Sequence, residues 1–399
     1  MRAGRACNVR ARRQNTAVLP EVQLAVRVRG RHPWFFRKMV RKPARPLPKG
    51  GAVRVVDKDG TFVGVGFYNP RSELTLRMLA RAEVDDVDAY LAGLLDAAVA
   101  LRRDVLRLDR VTDAYRVVHS EGDGFPGFVV DRIGDAIVAQ MFSLAVRNHI
   151  EALGERLRVH FPGARLLLGA DREAAAREGF SPPPPVRAQP TEVVEHGARF
   201  SVVPGHGHKT GFFADQRDNR QLVRALARGR TVLDLCCHAG GFAVHAALGG
   251  ARTVVAVDLD EEAVALATEN AARNRVRVDV RHDDAFAVLR AARPGAHDLI
   301  VLDPPKWIAG KADLDAGLPR YLDLNRAALQ KLAPGGLLVT CSCSGALDAA
   351  GFEAMLRRAA AEAGRDVRLL DRRGAGPDHP VALECPETGY LKVFVGHVR

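Results

Sequence analysis

The sequence predicts an α/β chain of three parts, in which a doubly wound, mostly parallel sheet follows a small β-barrel and a small central α+β domain. Three observations predict it. From residue 231 onward, short apolar runs alternate with helical segments, the pattern of βαβ units. Residues 21–80 instead hold short apolar runs separated by Gly- and Pro-rich turns, as in a small barrel. The length of 399 residues exceeds one ordinary core, so two or three domains are expected. The parts are placed at 21–82, 83–190 and 191–399, with residues 1–20 a disordered N-terminus.

Barrel strands are expected at 23–28, 52–56, 62–67 and 74–78. An amphipathic helix over 83–104 places Leu91, Leu94, Leu95 and Val99 on one face. Alternating apolar runs over 116–144, around the turn Gly122-Asp123-Gly124, predict a β-meander, and helical sequence follows at 145–158. Ser181 and the four prolines after it suit neither helix nor central strand and mark a loop, with a strand pair over 191–203 beyond it. The doubly wound part then reads as strands at 231–235, 253–257, 276–281, 298–302 and 336–340. Helices begin at Gly241 and span 261–273, 320–332 and 350–363.

Hydrophobic content of 47% and charged content of 27% describe a globular chain, and no apolar run approaches the ~18 residues of a membrane span. The Arg-rich first twenty residues lack an apolar signal core. The six cysteines (Cys7, Cys236, Cys237, Cys341, Cys343, Cys385) show neither a disulfide framework nor a zinc spacing, so no metal and a reducing, cytoplasmic setting are expected. The formal charge of +12 is concentrated: residues 1–80 hold 18 Lys/Arg against 4 Asp/Glu, a net of +14, and the remainder is nearly neutral. That pattern resembles a nucleic-acid footprint attached to a neutral enzyme, the bland reading being a solubilising basic tail, which suits Arg2 to Arg13 better than the run from Arg27 to Arg54. Arg31, His32, Trp34, Arg37, Lys38 and Arg41, with Phe35 and Lys42, mix rings and cations suited to stacking and phosphate contact on RNA. The bland reading of Trp34 and Phe35, a small-domain core, is at least as strong.

In the last part, Val232-Leu233-Asp234 leads into Cys236-Cys237-His238-Ala239-Gly240-Gly241-Phe242. Small residues after a first strand let backbone approach a ligand, and the next helix offers free N–H groups. Asp258, followed by Leu259, ends the second strand, where a carboxylate takes ribose hydroxyls; Asp284-Ala285-Phe286 ends the third, where an acid and a ring suit an adenine. Each acid alone has a bland reading as a helix N-cap. At three successive strand ends, together with Asp303, they read as a pocket for S-adenosylmethionine (SAM), and the absence of GxGxxG argues against a dehydrogenase.

Asp303-Pro304-Pro305-Lys306 ends the fourth strand, its prolines fixing where Asp303 and Lys306 point. Such turns in SAM enzymes commonly hold the amine-bearing edge of a planar base. Cys341 and Cys343 lie two apart at the end of the fifth strand and share a face. Cytosine C5 is a poor nucleophile, and thiolate addition at C6 turns the ring into an enamine whose C5 can take a methyl group. The bland reading is two buried structural cysteines.

With these residues in view, the chain over 21–399 resembles the PUA-domain-containing 23S rRNA (cytosine-5) methyltransferases, a SAM-dependent family. The resemblance rests on His32-Pro33-Trp34-Phe35, Gly66-Phe67-Tyr68-Asn69-Pro70, Tyr115-Arg116-Val117-Val118-His119, Glu121-Gly122-Asp123-Gly124-Phe125-Pro126-Gly127 and Gly207-His208-Lys209-Thr210-Gly211-Phe212-Phe213. Asp215-Gln216-Arg217-Asp218, Leu302-Asp303-Pro304-Pro305-Lys306, Ser342-Cys343-Ser344-Gly345 and Asp378-His379-Pro380 complete it. It implies an RNA-binding PUA domain, a central α+β domain, a Rossmann-like methyltransferase domain, and Cys343 as nucleophile. It also implies that Lys209, Thr210, Gly211, Phe212 and Phe213, with Asp215, Gln216 and Arg217, belong to a segment covering SAM. Related enzymes of another branch carry a second cysteine near the place of Lys306, so the base that removes the C5 proton stays open among Cys341, Lys306 and water. The partner implied is 23S rRNA, with no membrane and with a homodimer left open. The rival readings are methylation of guanine N7, an exocyclic amine or a small molecule, and a non-catalytic RNA-binding assembly factor.

Overall fold

The computed structural model describes residues 19–184, 189–205 and 211–399; the expectation for the N-terminus falls, apart from its last two positions, outside them. The first sheet holds β1 (Glu21–Gln23), β2 (Trp34–Phe35), β3 (Gly51–Val56), β4 (Phe62–Tyr68) and β5 (Leu76–Ala80), in the order β1-β3-β4-β5-β2. Its core is Val22, Leu24, Phe35, Val53, Val55, Tyr68, Leu76 and Met78. The strand expected at 23–28 is corrected: pairing with β3 stops at Gln23 because the chain turns away to Val40, which Leu24 bridges, and Ala25 donates to Met39.

The central domain packs α1 (Val87–Ala100) and α2 (Leu144–His160) on a sheet of β6 (Ala114–His119), β7 (Phe128–Ile133), β8 (Ala136–Met141) and β9 (Arg165–Gly169). Leu91, Leu95 and Val99 are buried on the predicted face of α1 and join Phe125, Phe128 and Ile150 in one core. β6, β7 and β8 form the expected antiparallel meander; β9 then joins β8 in parallel with α2 as the crossover, and α3 (Arg172–Glu178) follows. The hairpin of β10 (Thr191–Glu195) and β11 (Ala198–Val202) belongs to both neighbours: Phe200 and Val202 cluster with Ile133 and Val138 of the central sheet and with Val244 beyond.

The last part runs α4 (Arg217–Leu226), β12 (Thr231–Leu235), α5 (Gly241–Leu248), β13 (Thr253–Asp258), α6 (Glu261–Arg273), β14 (Asp279–His282) and α7 (Ala285–Ala291). It continues with β15 (His297–Leu302), α8 (Leu314–Lys331), β16 (Leu332–Ser342), α9 (Ala349–Ala363), β17 (Val367–Arg373) and β18 (Lys392–Val398). The sheet order is β14-β13-β12-β15-β16-β18-β17, parallel through β16 and antiparallel thereafter. Period two sorts the strands: Val232, Leu299, Val301 and Val339 face α4–α6, and Leu233, Ile300, Leu302 and Leu338 face α7–α9. Three boundaries differ from expectation, one of them the fifth strand, which starts at Leu332 rather than 336. The third strand starts at Asp279 rather than 276, because Arg275 turns left-handed and Val276 closes α6 by donating to Ala271. Helix α8 starts six residues early, at Leu314, and carries Pro319 inside it. Because β12 lies between β13 and β15, the order reverses at the C-terminal end of β12, where open α/β sheets bind ligands.

Candidate active site

The residues after β12, β13, β14, β15 and β16 converge on one cavity of about 1200 Å³. The turn from Cys236 to Gly241 is left-handed at Cys236, His238 and Gly240, which bends the backbone tightly into α5. Asp234 Oδ2 accepts from Ala243 N at 3.0 Å, tying strand to helix. Its carboxyl is fully buried, Oδ1 has no hydrogen-bond partner, and burial with the charges of Asp303 and Asp258 nearby pushes it up to about 8. Asp258 accepts from His238 N (2.7 Å) and Asp260 N (3.0 Å), and Asp284 caps α7 through Ala287 N (2.9 Å). The N-cap reading of Asp284 is thus realised, and Asp258 and Asp284 also form cavity wall beside Leu259, Ala285 and Phe286.

Across the cavity, Asp303, Pro304, Pro305, Lys306 and Trp307 form a second wall. Gln216 donates to Asp303 Oδ2 at 3.0 Å while its own carbonyl accepts from Asn219 at 2.7 Å, so an amide fixes the direction of the carboxylate. Ser344, fully buried, receives Ile308 N (3.2 Å) and meets Tyr321 Oη at 3.0 Å, which pins the diproline segment to the loop after β16. Cys343, in that loop, is half-buried and lines the cavity. Cys341 faces the same side of the sheet but lies inside the apolar cluster with Val339 and Val393, off the cavity wall. Burial, then the charge of Asp303, pushes its thiol well above the usual range, and burial with the surrounding acids does the same to Cys236 and Cys237.

Of the expected cofactor residues, Phe213, Gln216, Ala239, Gly241, Phe242, Asp258, Leu259, Asp284, Ala285 and Asp303 line the cavity. Asp234 and Gly240 stand behind it, Gly240 supplying the left-handed turn where a Cβ would come within 3.1 Å of Ala267. Gly211 is off the wall, against Val203, and Lys209 and Thr210 lie outside the described residues. Arg217 points elsewhere: it is buried, with Nη2 on Asp378 at 2.8 Å and Nε on Asp218 at 3.0 Å. Asp215, expected in the covering segment, also lines the cavity, and lining residues that sequence reasoning missed include Tyr390, Arg320 and Glu387. Tyr390 donates to Asp215 at 2.6 Å; the only sequence signal for it was the polar pair Tyr390 and Lys392 bracketing Leu391 in an apolar run.

The first-domain residues divide. Trp34 Nε1 donates to Glu121 of the central domain at 2.9 Å, His32 Nε2 meets Glu387 at 3.2 Å, and Arg31 faces Glu384 at 3.9 Å. These three hold the first domain against the other two, and Phe35 is core. His32, Cys385 and Glu387 also bring three donor atoms within 4.8 Å, a grouping that cysteine spacing does not show. Arg37 pairs with Glu73 at 3.1 Å and Arg41 donates to Gln23 at 2.9 Å, whereas Lys38 is exposed. Among the described residues no helix is long and apolar enough to cross a membrane.

A family model described as S-adenosylmethionine-dependent methyltransferase matches residues 166–392, and one described as a PUA-like domain matches residues 23–81. Ribosomal RNA large subunit methyltransferase I of Shewanella denitrificans is 34% identical over 380 residues, which is 92% of this chain and 96% of the relative. The enzyme of that name from Aeromonas hydrophila is 36% identical over 383 residues, with the same shares covered. Among solved structures, one described as a methyltransferase complexed with SAH superimposes with a TM-score of 0.79 at 21% identity, over 96% of this chain and 100% of that one. A SAM-dependent methyltransferase-like protein from Streptococcus mutans gives 0.77 at 20%, over 95% and 100%. On a family match across more than half of its length and relatives aligned along nearly all of it, the chain belongs to the S-adenosylmethionine-dependent methyltransferases with an N-terminal PUA-like domain, the family of the ribosomal RNA large subunit methyltransferases I.

Proposed function

We propose that the protein methylates carbon 5 of a cytosine in large-subunit ribosomal RNA through an adduct between Cys343 and C6. One observation carries this reading: of Cys341 in β16 and Cys343 just beyond its end, only Cys343 reaches the cavity, where Asp303 stands on the adjoining wall. The cavity also suits the family's cofactor. Asp258 offers a carboxylate for ribose hydroxyls, Asp284 and Phe286 an edge and a face for adenine, and a volume of about 1200 Å³ exceeds the ~300–1000 Å³ of ordinary ligand sites, leaving room for a base beside a nucleoside. When bound, the sulfonium supplies an electrophilic methyl group.

The chain's own residues supply the rest. The sulfur of Cys343 forms a bond to C6 while the C5–C6 π pair passes into the enamine, with Asp303 assigned to the N3 edge of the ring. After C5 is methylated, its proton leaves to a base, the sulfur departs with its electron pair, and the C5–C6 double bond returns. Cys341 is off the wall; Lys306, on the wall, accepts that proton only as the neutral amine, and water is the other acceptor. A cytosine held in RNA structure must be flipped out to enter. On the first domain, Lys38, Lys42, Arg45 and Lys49 are exposed and carry no ion pair or side-chain hydrogen bond among the described residues, and Phe36 is 45% exposed beside them. This stretch, rather than Arg31, His32 and Trp34, is assigned to phosphate and base contact.

Trapping on 5-fluorocytosine RNA tests the chemistry. Wild-type enzyme with SAM is expected to form a stable adduct, lost in Cys343→Ala together with about three orders of magnitude or more of the rate. Methylation without trapping would instead indicate guanine N7 or an amine, and absence of SAM binding in calorimetry a non-catalytic RNA-binding factor. Bisulfite sequencing of rRNA from a strain lacking the protein identifies the site as one cytosine that loses protection.

A further inference from the structure

We infer that Lys392 is the counter-cation of Cys343, a buried ammonium that holds the nucleophile's loop and stabilises its thiolate. The inference rests on the reading of Cys343 as nucleophile. Lys392 opens β18 at 5% exposure, in the run Leu391 to Val395 whose other members are apolar and buried. Lysines are almost never buried unless paired, because desolvating the charge is costly. Here no carboxylate lies within ion-pair distance among the described residues. Nζ donates instead to two neutral carbonyls, Ser344 O at 2.5 Å and Tyr390 O at 2.8 Å.

The placement of those bonds makes the case. Lys392 is the cross-strand partner of Ser342 on β16, and its Nζ holds the carbonyl of Ser344. Ser342 and Ser344 flank Cys343, so the ammonium is fastened to the nucleophile's own turn. Other charged or titratable groups around this turn, among the described residues, come from four neighbouring segments. Tyr321 comes from α8 through Ser344, Asp303 and Lys306 from the diproline turn, Asp348 from the cap of α9, and Cys341 from β16. Burial pulls Lys392 down to about 8, the Cys343 sulfur and Asp348 work to keep it charged, and Lys306 opposes them. The ammonium is thus held on the carbonyl one residue beyond the sulfur that must ionise. In the reaction Lys392 keeps its protons; the thiol proton leaves to solvent, and the freed sulfur pair makes the bond to C6.

A purely structural lysine, there to satisfy two carbonyls, is the competing account. Lys392→Met removes both roles, Lys392→Gln keeps amide donors without the charge, and Lys392→Arg keeps the charge. The readout is the rate at which iodoacetamide modifies Cys343, followed by peptide mass spectrometry from about pH 6 to about pH 9, beside adduct yield on 5-fluorocytosine RNA. An opposite charge at close range moves a titration by about one unit or more, so Met and Gln are expected to slow modification about tenfold at neutral pH and recover as pH rises. Arg is expected to stay near wild type. SAM calorimetry reports folding of each variant, and the Gln–Arg comparison suffices where Met does not fold. Identical pH profiles in all four proteins, or a Gln variant that matches wild type, would overturn the inference. Wild-type enzyme that methylates RNA without any adduct would sink the cytosine-5 reading itself, and an adduct with unchanged profiles would sink only the role of Lys392.

Discussion

Asp303 receives its orientation from Gln216, whose amide is itself held by Asn219; Asn219 in turn accepts from Arg373 at 3.0 Å on β17. A carboxylate directed by such a chain loses direction when the amide is removed, and displacement of a reacting group by about 1 Å costs on the order of a hundredfold. Gln216→Ala is therefore expected to lower the single-turnover methylation rate by about ten- to a hundredfold, and to lower stability in calorimetry by about 1–3 kcal/mol because buried Asn219 loses an acceptor. Asp258 has two functions, holding the backbone of His238 and Asp260 and presenting a carboxylate to the cavity. Asp258→Ala should weaken SAM binding about tenfold or more by titration calorimetry, since charge-assisted hydrogen bonds contribute roughly 1.5–3 kcal/mol.

Among the elements, the turn between β12 and α5 concentrates the backbone strain, with Gly240 in the left-handed region at φ 75° and packed on Ala267 of α6. Gly240→Ala is expected to cost about 1–2 kcal/mol in thermal or urea unfolding and to weaken SAM binding, because the turn that shapes the cavity must relax. This turn and the acids at the ends of β13 and β14 were legible in the sequence because strand periodicity and local turn chemistry act over a few residues. The ends of β15 and β16 were legible for the same reason. What stayed hidden depends on depth rather than direction. Period two assigns Cys341 and Cys343 to one face but cannot say that one lies under Val393 and the other at the cavity. Arg217, read as a cofactor residue, is taken by Asp378, 161 positions away, a pairing that no local pattern announces. β17 and β18 also escaped: the first alternates charged and apolar residues as an edge strand does, and the second carries a lysine and a glycine in its apolar run.

At the scale of the molecule, the central and catalytic domains are joined by a buried polar seam. Arg102, fully buried, bonds Asp123 twice (2.6 and 2.8 Å) and also the carbonyls of Arg116 and Asp378. Asp378 accepts from Arg116 N (2.9 Å) and Arg217 (2.8 Å), and its carboxyl is held far below the usual range against burial by His379 and Arg217. Gly122 lets the two backbones meet: a Cβ there would fall 2.2 Å from Pro380 O. Gly122→Ala should therefore destabilise the protein by about 2 kcal/mol or more in thermal unfolding. A second seam joins Glu195 of the shared hairpin to Arg220 of α4, at 2.5 and 2.6 Å. Burial raises the carboxyl of Glu195, but the guanidinium of Arg220 outweighs it and holds the group at about 2. A depressed carboxyl adds stability that is present above its ordinary titration and lost as pH falls toward the folded value. The free energy of unfolding, from urea melts at each pH, should thus fall between about pH 4.5 and about pH 2 by more than in Glu195→Gln. The contact between His32 and Glu387 carries this coupling outward, for Glu387 is both the first domain's anchor and a piece of the cavity wall. A ligand that prefers one position of Glu387 at either end shifts affinity at the other by the same factor, because binding free energies are reciprocal. On the proposed function, RNA held by the first domain and SAM in the cavity would be two terms of one equilibrium wherever both act on Glu387, and the affinity for each would then change at saturation with the other.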